Sequence, residues 1–411
     1  MTVTPPLATP EQEAAELAAV RLLQRADVKK TVREIADYWR AATTASADHQ
    51  ARFEAEYEQA AFCGIINALN LDPQHPKVQI FARFEHQTAG VRIPGTKASN
   101  PNPDYVYRLC PIDGVGHFIF HGTAPSRRPI GFEFSVLDRD QVYLGNISAA
   151  ELVVGSDGRF QITVDPDPAG GRPNHIQTTP GAIQVLVRDI LADVAVERPY
   201  GLRVERLGPV PSPRSEEEIV ALVAPTLRKY VDDLMPLIGR LAQLPPNQWA
   251  PPTLPTGAAL SGRQAYSGGR FQIADDEALV FTLTLGGAGY AVVPVNNLWG
   301  GVNDFLHHVG CLGTGRAKAN PDGSFTFVLS LADPGIYNWV DPDGLHDGLS
   351  IIRWMAFGRD ADAGQKPTLE VKLVKLADLP AVLPPGVPRV DAAGRQQQLA
   401  RHRADYLAAM G

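Results

Sequence analysis

The chain has 411 residues, 44% of them hydrophobic, and its 38 Lys and Arg against 45 Asp and Glu give a net charge of −7. That length exceeds one ordinary domain, and the apolar share is enough for more than one core. A mildly acidic chain with no basic block lacks the electrostatic footprint of a nucleic-acid binder, and no apolar run approaches the roughly 20 residues of a membrane helix.

The three cysteines, Cys63, Cys110 and Cys311, lie far apart. Such sparse usage suits a reduced compartment and argues against a disulfide framework. The N-terminus, MTVTPPLATPEQEAAEL, has neither the basic start nor the apolar run of a signal peptide, so a cytoplasmic protein is expected.

Residues 1–77 read as helical. Thr9-Pro10-Glu11-Gln12 is a capping-box arrangement with proline at the first helical position. Val32, Ile35, Ala36 and Trp39 recur at i, i+3, i+4 and i+7, and Phe53, Tyr57, Ala60 and Ala61 keep a helical spacing after them. Each helix has one apolar stripe, which must cover a β-domain or a partner chain.

From Val78 the texture changes to short alternating runs broken by Gly, Pro, Asn and Asp. Residues 78–208 read as a first β-sandwich, with strands in VQIFARFEH, YVYRLCPID, GHFIFHG and RPIGFEFSVLD. In the last of these Phe132, Phe134 and Val136 share a face. Residues 209–258 read as a helical connector followed by a proline-rich linker. Ser215 with Glu218 is a second capping box, and Pro225 and Pro236 are expected to kink or split the helix. Residues 259–378 read as a second β-sandwich, and 379–411 as an extended linker and a terminal helix. The narrow stripe of that helix, Leu399, Tyr406 and Met410, suits docking on a neighbouring subunit, so a homo-oligomer is expected.

The two β-regions look like copies. One stretch runs from Ser156 to Arg188 and the other from Asn320 to Trp354. Both open on Asp-Gly (Asp157-Gly158, Asp322-Gly323), enter an alternating strand and close on a strand ending in arginine, Arg188 or Arg353. Phe160 to Arg188 and Phe325 to Arg353 are equal in length. Gly131–Asp138 lines up with Gly289–Asn296, which sets Asp138 opposite Asn296. Many short strands at regular spacing argue for a mostly β protein of two tandem jelly-roll-like sandwiches with helical additions.

The second unit resembles a bacterial family known as domain of unknown function twelve-fourteen. The matching points are Val295-Asn296-Asn297, then Asn320, Asp322, Gly323 and Ser324, then Asn338-Trp339, then Arg353-Trp354. The first unit matches through Ser135-Val136-Leu137-Asp138, Asp157-Gly158 and Arg188, with His175 where the pattern has Trp. Asn102-Pro103-Asp104-Tyr105-Val106-Tyr107 is similar to the N-x-D-x-x-Y signature of a companion family, twelve-fifty-four. The resemblance implies a jelly-roll-like fold, often oligomeric, and no settled activity.

Among motifs that carry chemistry, a G-x-S-x-G elbow, a P-loop, H-E-x-x-H and paired C-x-x-C are all missing, so no cofactor and no metal is expected. Asp104 beside Tyr107 is a candidate acid–base pair, with Tyr105 on the same strand face as Tyr107. The competing reading is an Asx-Pro turn that starts a strand. Asn303, Asp304, His307 and His308 would gather on one helical turn, with His346 from a following loop. Such a set holds a divalent ion, does acid–base work or is a hydrogen-bonded loop, and the loop is the commoner outcome for this spacing. His117 and His121 flank Ile119 on one strand face, about 13 Å apart at the strand rise of about 3.3 Å per residue, too far to share one ion. Trp299, Trp339 and Trp354 fall in the second unit, as ligand-stacking platforms or as core. Arg188 and Arg353, at matching positions, read as the same structural job done twice.

The functional expectation is a cofactor-independent hydrolase, lyase or isomerase of small-molecule catabolism. Asp104, Tyr107, Asp304, His307 and His308 would be catalytic, and Trp299, Tyr105, His346, Asn303 and His117 would line an aromatic cleft for a largely apolar or cyclic substrate. The alternatives are a non-catalytic glycan- or apolar-ligand-binding protein and an oligomeric assembly protein.

Overall fold

The structure is a computed structural model that describes residues 7, 9–96, 100–253, 264–357 and 366–410. Helices α1 (Pro10–Gln24), α2 (Ala26–Ala42) and α3 (Ala47–Leu69) open the chain. The Thr9 hydroxyl accepts from the Gln12 backbone N–H at 3.1 Å, with Pro10 at the first turn. No described helix is long and apolar enough to cross a membrane.

The next strands are β1 (Gln79–Ile80), β2 (His86–Thr88), β3 (Val91–Ile93), β4 (Tyr105–Pro111), β5 (Phe118–Thr123), β6 (Gly131–Asp138), β7 (Tyr143–Ser148), β8 (Arg159–Asp165), β9 (His175–Gln177), β10 (Ala182–Ile190) and β11 (Gly201–Arg206). Five of them form a sheet in the order β1-β4-β10-β6-β7, which packs on a four-stranded sheet in the order β11-β5-β8-β9. The core between them holds Phe120, Phe132, Phe134, Val136, Ile162, Val185 and Val187, every one fully buried.

Helix α4 (Glu216–Ala242) leads to β12 (Gln248–Trp249), β13 (Ala265–Gln272), β14 (Glu277–Thr284), β15 (Tyr290–Pro294), β16 (Cys311–Gly313), β17 (Phe325–Leu329), β18 (Trp339–Val340), β19 (Asp347–Met355) and β20 (Thr368–Lys375). The order β12-β13-β19-β15-β16 repeats the first five-stranded sheet strand for strand, and β20-β14-β17-β18 repeats the four-stranded one. The parallel pair recurs too, β8 with β9 and β17 with β18. Both Asp-Gly turns need a left-handed residue, and Gly158 and Gly323 supply it at φ 77° and 84°. His175 and Trp339 hold equivalent places, bridging Thr163 and Val328.

The cross-strand register corrects the expected alignment by one residue. Arg188 pairs with Glu133, and Arg353 pairs with Val292, so Glu133 corresponds to Val292. Leu137, not Asp138, then stands opposite Asn296, as their partners Gln184 and Leu349 confirm. A one-residue slip in a strand exchanges its two faces, so it decides which side chains can share a site.

Three expectations about the connections change. The proline-rich linker is not all linker, since Gln248–Trp249 is an edge strand of the second sheet. The Trp249 indole donates to the Ser350 carbonyl at 3.1 Å and lies over Gly269, where a Cβ would come within 2.2 Å of the ring. Helix α4 does not split, and runs 27 residues with Pro225 and Pro236 inside it. A helix-interior proline costs about 3 kcal/mol, whereas each fully buried aliphatic side chain contributes about 1.5–3 kcal/mol. The stripe Val223, Leu227, Val231, Leu234 and Ile238 is buried along the whole length and outweighs both prolines. Its lower part joins Trp39, Phe53 and Tyr57 of α2 and α3 against Leu298, Trp299 and Leu349 of the second sandwich.

After α5 (Leu379–Val382), the terminal helix α6 (Ala392–Met410) docks on its own chain instead of presenting its stripe to a neighbour. Tyr406, Ala409 and Met410 are buried with Ile80, Phe84, Val106, Leu191 and Val194 of the first sandwich. The outer faces of the two five-stranded sheets also meet, through Tyr105, Ile190, Tyr290, Val292, Cys311 and Met355.

Candidate functional site

Strand alternation builds the polar part of this interface. On β10 the side chains of Val185 and Val187 enter the sandwich core, so Leu186, Arg188 and Ile190 face outward. On β6 Phe132, Phe134 and Val136 point in and Glu133 points out. Directly opposed residues of antiparallel strands share a face. Arg188 therefore lies between Tyr107 on β4 and Glu133 on β6. In the second sandwich Ile352 and Trp354 point in, so Arg353 points out beside its partner Tyr266 on β13.

Arg188 and Arg353 thus converge from equivalent strands on one region of the interface, with Tyr105, Tyr107, Tyr143 and Tyr266 around them. The Tyr105 and Tyr107 rings are 5.4 Å apart. One Arg188 nitrogen donates to the Tyr143 hydroxyl at 3.1 Å. Burial alone would lower both guanidinium pKa values. The facing Tyr143, Tyr266 and Glu133 hold Arg188 above its ordinary value, and Tyr107, Tyr105 and Tyr266 do the same for Arg353. Tyr266 feels both arginines, one from each sandwich.

Glu133 is 5% exposed and accepts one hydrogen bond from the Asn146 amide at 3.0 Å. Burial pushes its carboxyl up to about 7, against the opposing pull of Arg188. A carboxyl that exchanges its proton near neutrality is suited to acid–base work. Sequence reading missed it, although its signal was present as one charged residue alternating with phenylalanines in GFEFSV, across from an arginine.

At the deep end, Arg353 donates to the Asn100 carbonyl at 2.7 Å. Its other terminal nitrogen is buried with no partner, as are the Tyr105 hydroxyl and both side-chain polar atoms of Asn100. Buried polar groups are almost always hydrogen-bonded, and leaving one unmet costs about 1–3 kcal/mol.

A cavity of about 580 Å³ is lined by Tyr105 and by Asn303, Asp304 and His307, with Asn102, Pro103 and the α6 residues Arg403, Leu407 and Met410. Four of the residues singled out in the sequence, Tyr105, Asn303, Asp304 and His307, line this one space.

The other expected constellations do not assemble. Asp104 is fully buried and does not pair with Tyr107. Its carboxylate accepts from the Tyr290 and Tyr406 hydroxyls and from Arg316 at 2.6 Å, which ties the first sandwich, the second and α6 together. Tyr107 instead accepts the Asn102 backbone N–H at 3.1 Å. Asp304 holds His307 at 2.7 Å but not His308, whose ring bonds Asp341 at 2.7 Å. His346 points away to Asp48 and Asp275, at 2.8 and 3.0 Å. Successive residues of a short turn diverge by about 100°, so neighbouring histidines take different partners. Asn303 is a buried brace, its amide donating to the Pro342 carbonyl at 2.9 Å.

Trp299 is 2% exposed, with its indole on the His49 carbonyl at 2.7 Å, and Trp339 and Trp354 are buried as well, so none is a stacking platform. His121 lies on β5 of the far four-stranded sheet and His117 just before that strand, each with its own carboxylate, Glu205 at 2.8 Å and Asp167 at 3.2 Å.

No family model and no curated protein matches the chain, so the family resemblance rests on the residues quoted for it. Among solved structures, the chain is similar to an uncharacterized protein from Burkholderia cenocepacia, at 22% identity and a TM-score of 0.68, over 87% of this chain and 99% of that one. It is also similar to the VPA0106 protein from Vibrio parahaemolyticus, at 12% identity and a TM-score of 0.44, over 78% and 98%. The first of these likenesses extends over most of this chain and nearly all of the other, and what it shows is a shared fold.

Proposed function

We propose that the protein is an enzyme that performs acid–base chemistry with its own side chains on a small, largely cyclic substrate held between the two sandwiches. Glu133 is the proton donor and acceptor, Arg188 beside it steadies developing negative charge, and the four tyrosines wall the cleft. The observation that carries this reading is Glu133 itself, a carboxyl poised near 7 on the face that meets the other sandwich. Tyr105 keeps the substrate-binding role assigned to it from sequence, and Tyr107 moves from catalysis to the cleft wall.

The test is a thermal-shift screen of cyclic esters, hydroxy acids, terpenoids and steroids, followed by mass spectrometry of each hit for turnover. General acid–base catalysis is worth about 10²–10⁴-fold, so Glu133→Gln should lower kcat by about that factor while the hits still bind. A variant that turns over at the wild-type rate removes Glu133 from the mechanism. Ligands that bind and are never converted would make the chain a binding protein.

A further inference from the structure

Four arginines are buried among the described residues: Arg83, Arg108, Arg353 and Arg395. Arg83 is paired with Glu16 at 3.0 Å, Arg395 with Asp333 at 2.9 Å, and Arg108 with Asp189. Arg353 has no carboxylate partner among the described residues. Burial lowers its pKa, and the neighbours that raise it are Tyr107, Tyr105, Tyr266 and Cys311, none of them a carboxylate. The nearby Asp104 is already taken up by Arg316 and two tyrosine hydroxyls. A buried cation without a counter-ion is unfavourable unless an anion completes it.

We propose that the anion belongs to the ligand, and that Arg353, the Tyr105 hydroxyl and the Asn100 side chain form a site for a carboxylate on a ring-bearing molecule. This rests on the reading of the cleft as a substrate site and names the substrate's class. Arginine presents parallel N–H groups that match a carboxylate, and here one terminal nitrogen is buried without a partner while the other is anchored on the Asn100 carbonyl. The Tyr105 hydroxyl and the Asn100 amide add unpartnered donors from the other sandwich. One arginine balances one charge, which favours a carboxylate over a phosphate dianion. Tyr107 and Tyr266, both half-buried beside the guanidinium, give an aromatic or alicyclic body a surface to lie against. Arg188 and Arg353 therefore have different tasks despite their common origin. Arg188 faces a carboxylate of the protein, and Arg353, where the second copy carries Val292 instead of Glu133, faces one that must be supplied.

The experiment is isothermal titration of the full chain with sodium benzoate, sodium cyclohexanecarboxylate, benzamide and inorganic phosphate. Saturable binding of at least one carboxylate is expected, with benzamide and phosphate at least tenfold weaker. Arg353→Met should weaken the carboxylate at least tenfold, and Tyr105→Phe, which removes only the hydroxyl, several-fold. Glu133→Gln should bind normally, so loss of the catalytic reading would leave this one standing. Binding of neither carboxylate, equal binding of benzamide, or unchanged affinity in a folded Arg353→Met or Tyr105→Phe chain overturns the proposal.

Discussion

Glu133 illustrates how a single residue can be unfavourable for stability and useful for chemistry. Its pKa rises from 4.5 in the unfolded chain to about 7 in the fold. The folded protein holds that proton more tightly, so this contribution is fully present below pH 4.5 and is lost as pH rises through 7. A shift of this size corresponds to roughly 3 kcal/mol. Glu133→Gln is therefore expected to be more stable than wild type in urea at pH 8, with the gap closing by pH 5. Asp104 is the opposite case. It is buried under an arginine and two phenols, and removing one partner of a buried ion pair typically costs about 3–5 kcal/mol. Asp104→Asn should lower the urea midpoint accordingly, which makes it a structural hub and not a catalytic acid.

Among elements, α1 shows how a helix is fixed to a sheet by one side chain. Glu16 receives Arg83 at 3.0 Å, His86 at 3.1 Å, Thr88 at 2.6 Å and Gln12 at 3.0 Å. Burial works against its charge, but the hydrogen bonds of His86 and Thr88 and the charge of Arg83 prevail, and its pKa falls from 4.5 to about 2. The stabilisation is present above pH 4.5 and is lost as pH falls through 2, on the order of 3 kcal/mol. Hydrogen exchange in α1 should accelerate in Glu16→Gln at pH 7, and wild type should approach the variant near pH 2. The α2–α3–α4 group depends on packing instead. Trp299 lies 4.6 Å from the Phe53 ring and 5.7 Å from Trp39. Trp299→Ala is expected to cost about 3–5 kcal/mol by chemical denaturation, the range for a large aromatic lost from a core.

At the scale of the whole molecule, the two sandwiches and the terminal helix are joined around Asp104. Tyr290 reaches it from the second sandwich, Tyr406 from α6, and Arg316 holds Tyr406 as well, at 2.8 Å. Ending the chain after Asp391 removes Tyr406 and uncovers the apolar patch that includes Ile80, Phe84, Val106 and Leu191. The shortened chain should unfold in two steps, one per sandwich, where the full chain unfolds in one, as followed by tryptophan fluorescence and circular dichroism together. A single transition in both chains would mean that α6 does not couple the sandwiches.

Much of the fold was legible because it is written in local periodicity. Alternation placed Phe132, Phe134 and Val136 in one core, the Asp-Gly turns marked both copies, and Thr9 and Ser215 announced their helices. The same alternation put Tyr105 and Tyr107 on one face, and Arg188 and Arg353 at matching strand ends. It could not say what those faces meet. Asp304, His307, His308 and His346 were grouped by nearness in sequence, and the fold sent each ring to whichever carboxylate its own backbone direction offered. Alternation and turn chemistry follow from covalent geometry and act over a few residues. The partners of Asp104, up to 302 positions away, and the meeting of Arg188 with Arg353 follow from the docking of whole sheets, which only tertiary packing decides.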